Sequence, residues 1–255
     1  MKILLTLPLL FAPISSWANV NFMNQCVEVW EGQKTSDPAY STFKGLFDAI
    51  PTPTKTCQSI EQPLKNIKEL SLSDLGLTDL SPLSGITSLE SLDISQNNIA
   101  DLSPLANLTS LNKLYLEDNQ PRTLAPLANL LNLVELSLWN CGVSNLGPLE
   151  RLSALRFLDL EDNDIDNLEP LGGLTSLEEL FLSVNYVVDL DPLASLVNLK
   201  RLDVSDNDFS DLSPLASLMA LEDLAVEDNE IVKDADHCPT GVSVPSVLSE
   251  FCAMP

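Results

Sequence analysis

Apolar and polar positions along most of this chain recur every 22 residues. Counting from Leu89, apolar residues fall at the first, fourth and sixth places of the unit, then at the eleventh, fourteenth, seventeenth and twentieth. Leu89, Leu92, Ile94, Ile99, Leu102, Leu105 and Leu108 show the full set. The unit restarts at Leu111, Leu133, Leu155, Leu177, Leu199 and Leu221, and Ile67 opens an earlier copy. Pro82, Pro104, Pro126, Pro148, Pro170, Pro192 and Pro214 keep the same interval. A fixed period of this length marks a solenoid, in which each unit buries its apolar side against its neighbours.

Within the unit, the fourth and sixth places alternate with polar neighbours, the mark of a strand with one buried face. Such strands, stacked about 4.8 Å apart, form one parallel sheet, and the rest of the unit supplies the return that parallel pairing requires. The return reads Asp-Leu-Ser-Pro-Leu or a variant. Ser103 or a neighbouring polar residue caps its turn and Pro104 presets φ. The segment is too short for a long helix, so a 3₁₀ or single turn is predicted. Pro121 takes an apolar core place and removes a backbone donor, which predicts local irregularity there.

The ninth place is Asn97, Asn119, Asn163, Asn185, Asn207 and Asn229. The chain turns inward here and strands backbone N–H and C=O groups. An amide side chain both donates and accepts, so stacked asparagines can bridge one coil to the next. Cys141 holds this place in the fourth unit and reads as a small buried residue with a weak donor. Leu75 holds it in the first, beside the preceding segment.

Outside the repeat the pattern changes. Residues 19–66 begin with Asn-Phe-Met-Asn-Gln-Cys-Val-Glu-Val-Trp, a run of strand formers, and continue with Tyr40, Phe43, Phe47 and Ile50 at helical spacing. Asp37 before Pro38 suits a helix start and Pro51 a stop. Residues 232–255 carry Val244, Val247, Leu248 and Phe251, a second short amphipathic helix. Open solenoid ends expose apolar side chains and unpaired backbone, so both segments are expected to be caps.

The 13 Lys and Arg residues against 37 Asp and Glu give a formal charge of −24. That surface disfavours nucleic acid and anionic lipid and leaves a basic partner or divalent cations as counterparts. Lys2, the apolar run 3–14 and Ser16-Trp17-Ala18 have the form of a signal peptide cleaved after Ala18. The apolar run is too short to span a membrane. An exported chain, secreted or periplasmic, permits disulfides. Cys26 with Cys57 and Cys238 with Cys252 are the expected pairs, each tying down a terminal segment, with Cys141 left free.

The period, the asparagine ladder and the proline-bearing return, repeated over seven complete copies, resemble the 22-residue leucine-rich-repeat class. Internalins and the regulatory leucine-rich-repeat subunit of a eukaryotic protein phosphatase share it. The likeness covers residues 67 to about 231 and is to a bacterial secreted protein of internalin type. It implies an α/β solenoid: a leucine-rich-repeat arc with a parallel β-sheet on its concave face and 3₁₀ or short turns on its convex face. The expected organisation is a signal peptide (1–18), an N-terminal cap (19–66), seven full repeats and a partial eighth (67–231), and a C-terminal cap (232–255). Family members bind proteins on the concave sheet and are not enzymes; the resemblance names no partner.

Strand geometry sends the third, fifth and seventh places onto the concave face. Tyr115, Trp139, Phe157 and Phe181 stand at such places, one in each of four successive units, although only 5% of the chain is aromatic. Exposed rings so concentrated are candidate interface anchors. Glu135, Asp159, Glu161, Glu179 and Asp203 surround them as an acidic rim, with Lys113 and Arg201 at the flanks. A partner protein with an apolar ridge and basic edges fits that surface. The competing reading is an envelope-associated structural or glycan-binding protein, calcium-dependent through acidic residues such as Glu117-Asp118 and Glu161-Asp162. No calcium-loop spacing accompanies these, and solvated charge accounts for them. Scattered carboxylates without a cleft and a lone His237 point away from catalysis, and no cofactor is expected.

Overall fold

The computed structural model describes residues 17–52, 54–234, 236–240 and 244–253. The expected signal peptide therefore lies outside the described residues except for its last two. Eight three-residue strands make one parallel sheet in sequence order: β1 Glu69–Ser71, β2 Ser91–Asp93, β3 Lys113–Tyr115, β4 Glu135–Ser137, β5 Phe157–Asp159, β6 Glu179–Phe181, β7 Arg201–Asp203 and β8 Asp223–Ala225. Register never slips, and each central leucine pairs with the next, Leu92 with Leu114 and Leu158 with Leu180 for example. The inward leucines form continuous fully buried columns between the sheet and the returns.

Each return closes with a 3₁₀ turn such as Ser103–Leu105, as the proline spacing predicts. Its start is fixed by the thirteenth place more than by serine: Asp101 Oδ1 accepts from the Ser103 amide at 2.8 Å and Oδ2 from its hydroxyl at 2.9 Å. Asp79, Thr123, Asn145, Asn167, Asp189 and Asp211 accept equivalently, two residues ahead.

The eighth place of every unit is left-handed, from Asp74 through Asp228, with φ between +50° and +56°. This accounts for much of the acidic run, since Asp and Asn adopt that conformation at least cost. Gln96 stands there too, and one residue is apolar. Val184, β-branched, sits at φ +56°, a conformation that costs roughly 1–3 kcal/mol.

The ninth-place asparagines form the ladder the sequence implies. Asn163 Oδ1 accepts from Val143 N at 2.8 Å, and its Nδ2 donates to Leu138 O and Leu160 O, both at 2.9 Å. Asn97, Asn119, Asn185 and Asn207 repeat the arrangement, each accepting from the amide 20 residues earlier. At the end of the sheet, Asn229 still donates to Val204 O and Val226 O, but its Oδ1 is buried without a partner among the described residues. Cys141 keeps half of the role: its thiol reaches Leu116 O at 3.2 Å, the carbonyl 25 residues back that an asparagine amide would find. The missing half is the acceptor, and the residue 20 back is Pro121, which has no N–H to offer. Apart from this the third unit, where Pro121 stands, is regular; β3 and β4 pair in register, and the 3₁₀ turn Ala125–Leu127 forms.

Before the sheet come α1 Trp17–Cys26, a π turn Val27–Glu31, α2 Ala39–Ala49 and α3 Cys57–Leu64. The strand expected in the first of these segments is absent. Phe22, Cys26 and Val29 are buried at spacings of four and three, a helical period that outweighs the local strand propensity. In α2 the expectation holds: Asp37 Oδ1 accepts from the Ala39 amide, and Ile50 turns extended ahead of Pro51. Trp30 stacks on Tyr40 and Phe47 at 5.2 and 4.7 Å between centroids. This segment is fastened to the first coil by Thr42 Oγ1 donating to Asp79 O at 2.5 Å and Gln25 Nε2 to Ser81 Oγ at 2.6 Å. Leu75 leans on α2 at Gly45, where a Cβ would stand 2.8 Å from Leu75 Cδ1.

At the other end α4, Ser246–Ala253, buries Leu248 and packs Val247 and Phe251 on the core. Both expected disulfides form, Cys26–Cys57 and Cys238–Cys252, with Cα atoms 5.8 and 5.4 Å apart. Cys141 is free and buried. Among the described residues no helix is long and apolar enough to cross a membrane.

Candidate functional site

Because the register is strict, outward side chains fall into rows across the sheet. The third-place row runs Lys113, Glu135, Phe157, Glu179, Arg201; the fifth-place row runs Asp93, Tyr115, Ser137, Asp159, Phe181, Asp203. Glu117, Trp139 and Glu161 follow at the seventh place. Tyr115, Trp139, Phe157 and Phe181 are all half-buried. None is taken into the core. Phe157 and Phe181, from different rows of adjacent strands, meet with centroids 5.7 Å apart and planes tilted by 49°. Among the described residues they are the one pair of the four in ring contact; Tyr115 instead donates its hydroxyl to Glu135 Oε2 at 2.6 Å.

The flanking cations are already engaged. Lys113 pairs with Glu135 at 2.8 Å and Arg201 with Glu179. They pin two rim carboxylates in place and leave the middle of the face negative. Despite partial burial, Glu135 is held below the usual carboxylate range by Lys113 and the Tyr115 hydroxyl. The Tyr115 phenol is pushed above its ordinary value by burial and by that same carboxylate.

Between the rings the carboxylates behave oppositely. Burial raises Glu117, with Asp93 and Asp159 adding repulsion, and burial also raises Asp159. Glu161 is raised by burial and then by Asp159 and Asp203. The Ser137 hydroxyl donates to Asp159 Oδ2 at 3.2 Å, and Glu117 Oε2 is buried with no hydrogen-bond partner among the described residues. Asp93 is the exception: hydrogen bonds from Ser95 and Ser71 outweigh its burial and lower it. A half-desolvated group of acids beside aromatic rings suits a cationic group carried on an apolar surface.

Glu117 is the residue that sequence reasoning misplaced. Its seventh-place position marks it as outward, yet it reads as solvated charge because nothing local in the sequence shows that Ser137, Asp93 and Asp159 stand close to it. Cys141 lies directly behind the face. Burial pushes its thiol up to about 12, so it is a neutral packing group rather than a nucleophile. Among the described residues no group of three His, Cys, Asp or Glu side chains is placed to hold a metal ion.

The fold and its repeat place the chain in a known class. The family described as Leucine Rich repeats (2 copies) matches residues 65–107, 87–129, 131–173, 153–195 and 175–217, and the chain belongs to that family. Among solved structures it is similar to internalin C2 of Listeria monocytogenes, with 35% identity and a TM-score of 0.71, over 75% of this chain and 85% of that one. It is also similar to an internalin (inlF) of the same organism at 28% identity and TM-score 0.62, over 76% and 71% of the two chains. A plant peptide hormone receptor, RGFR1 in complex with RGF2, shares the fold at 21% identity and TM-score 0.55, over 66% and 29%. No curated protein matches the chain. It is an internalin-like leucine-rich-repeat protein.

Proposed function

We propose that this protein is an exported, non-catalytic binding module that recognises a partner protein through its concave face, centred on Tyr115, Trp139, Phe157 and Phe181. The observation that carries the reading is the set of rings itself: four half-exposed aromatics in successive coils, three on β3, β5 and β6 and Trp139 in the turn after β4, beside carboxylates that are only partly solvated. Rings exposed on a rigid sheet lose little entropy on binding and bury large areas, which is why aromatic side chains dominate interface energetics. The acids between them select a partner whose contact surface carries Lys or Arg beside apolar groups. Leucine-rich repeats are commonly protein-interaction modules, and the receptor complex with RGF2 shows a polypeptide ligand held by a protein of this fold. Export is supported by the form of residues 1–18 and by the two disulfides.

The test is affinity capture from the native envelope and medium with wild-type chain and the Y115A/W139A/F157A/F181A variant, matched for melting temperature. A partner retained by the wild type and lost with the variant is expected. An unchanged set of captured proteins overturns the assignment to this face.

A further inference from the structure

A second surface lies away from the sheet, on the loop that follows β6. Val184, Tyr186 and Val188 occupy alternate positions and are 45%, 57% and 63% exposed, while Asn185 and Val187 between them point inward. They are three of the nine large hydrophobic residues exposed among the described residues, gathered within five positions. The same three places hold Asp162, Asp164 and Asp166 in the preceding coil and Asp206, Asp208 and Ser210 in the following one. An apolar strip is thus set between two acidic ones. The strip is also maintained against local preference. Every other coil has Asp, Asn or Gln at the left-handed eighth place, whereas this one holds Val184 there at φ +56°. A side chain that is both exposed and conformationally unfavourable contributes to neither the core nor the turn, so a role in folding does not explain it.

A groove accompanies the strip. A cavity of about 240 Å³ is lined by Asn140 and Gly142 of the fourth coil, Asp162 and Asp164 of the fifth, and Val184 and Tyr186 of the sixth. Among the described residues, Asp162, Asp164, Asp166, Asp206 and Asp208 are exposed and stand in none of the ion pairs, so their charge is available to an incoming cation.

We propose that this loop edge is a second docking site, distinct from the concave face, for a basic segment of a partner protein that seats an apolar side chain on Val184, Tyr186 and Val188 between flanking Lys or Arg residues. Charge complementarity selects that occupant over a second copy of this chain, whose own surface is strongly acidic. Apolar contact supplies the anchor, and the aspartates on both sides fix register and speed encounter.

The experiment uses the full chain and three labelled synthetic peptides, followed by fluorescence anisotropy: Lys-Arg-Leu-Phe-Lys-Arg, Lys-Arg-Gly-Gly-Lys-Arg and Glu-Glu-Leu-Phe-Glu-Glu. The first is expected to bind, the second to bind about ten-fold more weakly and the third not at all. The V184D/Y186D/V188D variant gives the loop the sequence character of its neighbour and adds negative charge. General electrostatic attraction predicts tighter peptide binding to it; the docking site predicts loss of about ten-fold or more. The Y186S variant, altered only at an exposed ring, is expected to weaken binding in the same direction and serves if the triple variant does not fold. All titrations are made in the Y115A/W139A/F157A/F181A background, which removes the rings of the concave face, so that the binding read belongs to the loop edge and its failure is distinct from a failure of the concave-face reading. Equal binding of the Leu-Phe and Gly-Gly peptides, undiminished binding by the folded loop variants, or a chain that dimerises through this edge and ignores the peptides would each overturn the proposal.

Discussion

Pro121 and Cys141 are best understood together. In five coils an asparagine oxygen accepts the amide 20 residues earlier. Proline at 121 removes that amide, and an oxygen at 141 would then be buried without a donor, a situation that costs about 1–3 kcal/mol. A thiol avoids the cost while still reaching Leu116 O. Restoring the asparagine alone should therefore destabilise the protein, whereas P121V/C141N together should recover the loss. Chemical denaturation of the four members of this cycle is expected to give a favourable coupling of about 1 kcal/mol or more. Val184 makes a simpler case. V184N, relieving a β-branched residue of its left-handed backbone, should stabilise by about 1 kcal/mol in the same assay. Glu117 brings pH into view. Its folded value is raised, so the neutral acid favours the fold and that contribution is lost as pH rises through the raised value. E117Q should accordingly raise Tm at pH 7, and the gain should shrink as the medium is acidified into the ordinary carboxylate range.

Among the elements, the strands, returns and ladder were legible because their cause is periodic: one apolar pattern repeated until chance is excluded. The segment before the first strand had no such redundancy. There a stretch with strand propensity became α1 and a π turn because Phe22, Cys26 and Val29 all had to meet the first coil. Only tertiary contact reveals that demand. The candidate face divides the same way. Counting places locates its rings, but the pairing of Lys113 with Glu135 and the nearness of Ser137 to Glu117 depend on distances between units. In the sequence the aspartates at the eighth place look like solvating charge, and a backbone requirement accounts for them better. The helices that precede the sheet rest on the Cys26–Cys57 bridge, which closes a loop with a separation of 31 residues. Replacing both cysteines by serine should cost about 3–4 kcal/mol on the loop-closure relation. The loss should appear first as hydrogen exchange in α1–α3 rather than in β4–β6.

Across the whole molecule, charge and connectivity set the behaviour. A formal charge of −24 on an elongated surface opposes folding by self-repulsion. Raising salt from about 10 mM to about 500 mM shortens the screening length several-fold and should raise Tm, while weakening any basic ligand at either surface. Strands bond only to their sequence neighbours, so a perturbation in one coil is passed on through the next rather than across a shared centre. The two proposed surfaces differ accordingly. The concave face draws on four coils at once and the loop edge chiefly on one, so a lesion confined to the sixth coil should silence the edge while much of the face survives.

The joint between Pro121 and Cys141 also limits how such a chain can be cut and rejoined. Most turns carry interchangeable fittings, and whole turns can be removed or duplicated without disturbing their neighbours' bonds. The third and fourth turns do not. A recombination that separates them delivers a proline to an asparagine with nothing to accept, or a thiol to an amide left without an acceptor, so they can be inherited or engineered only as a unit.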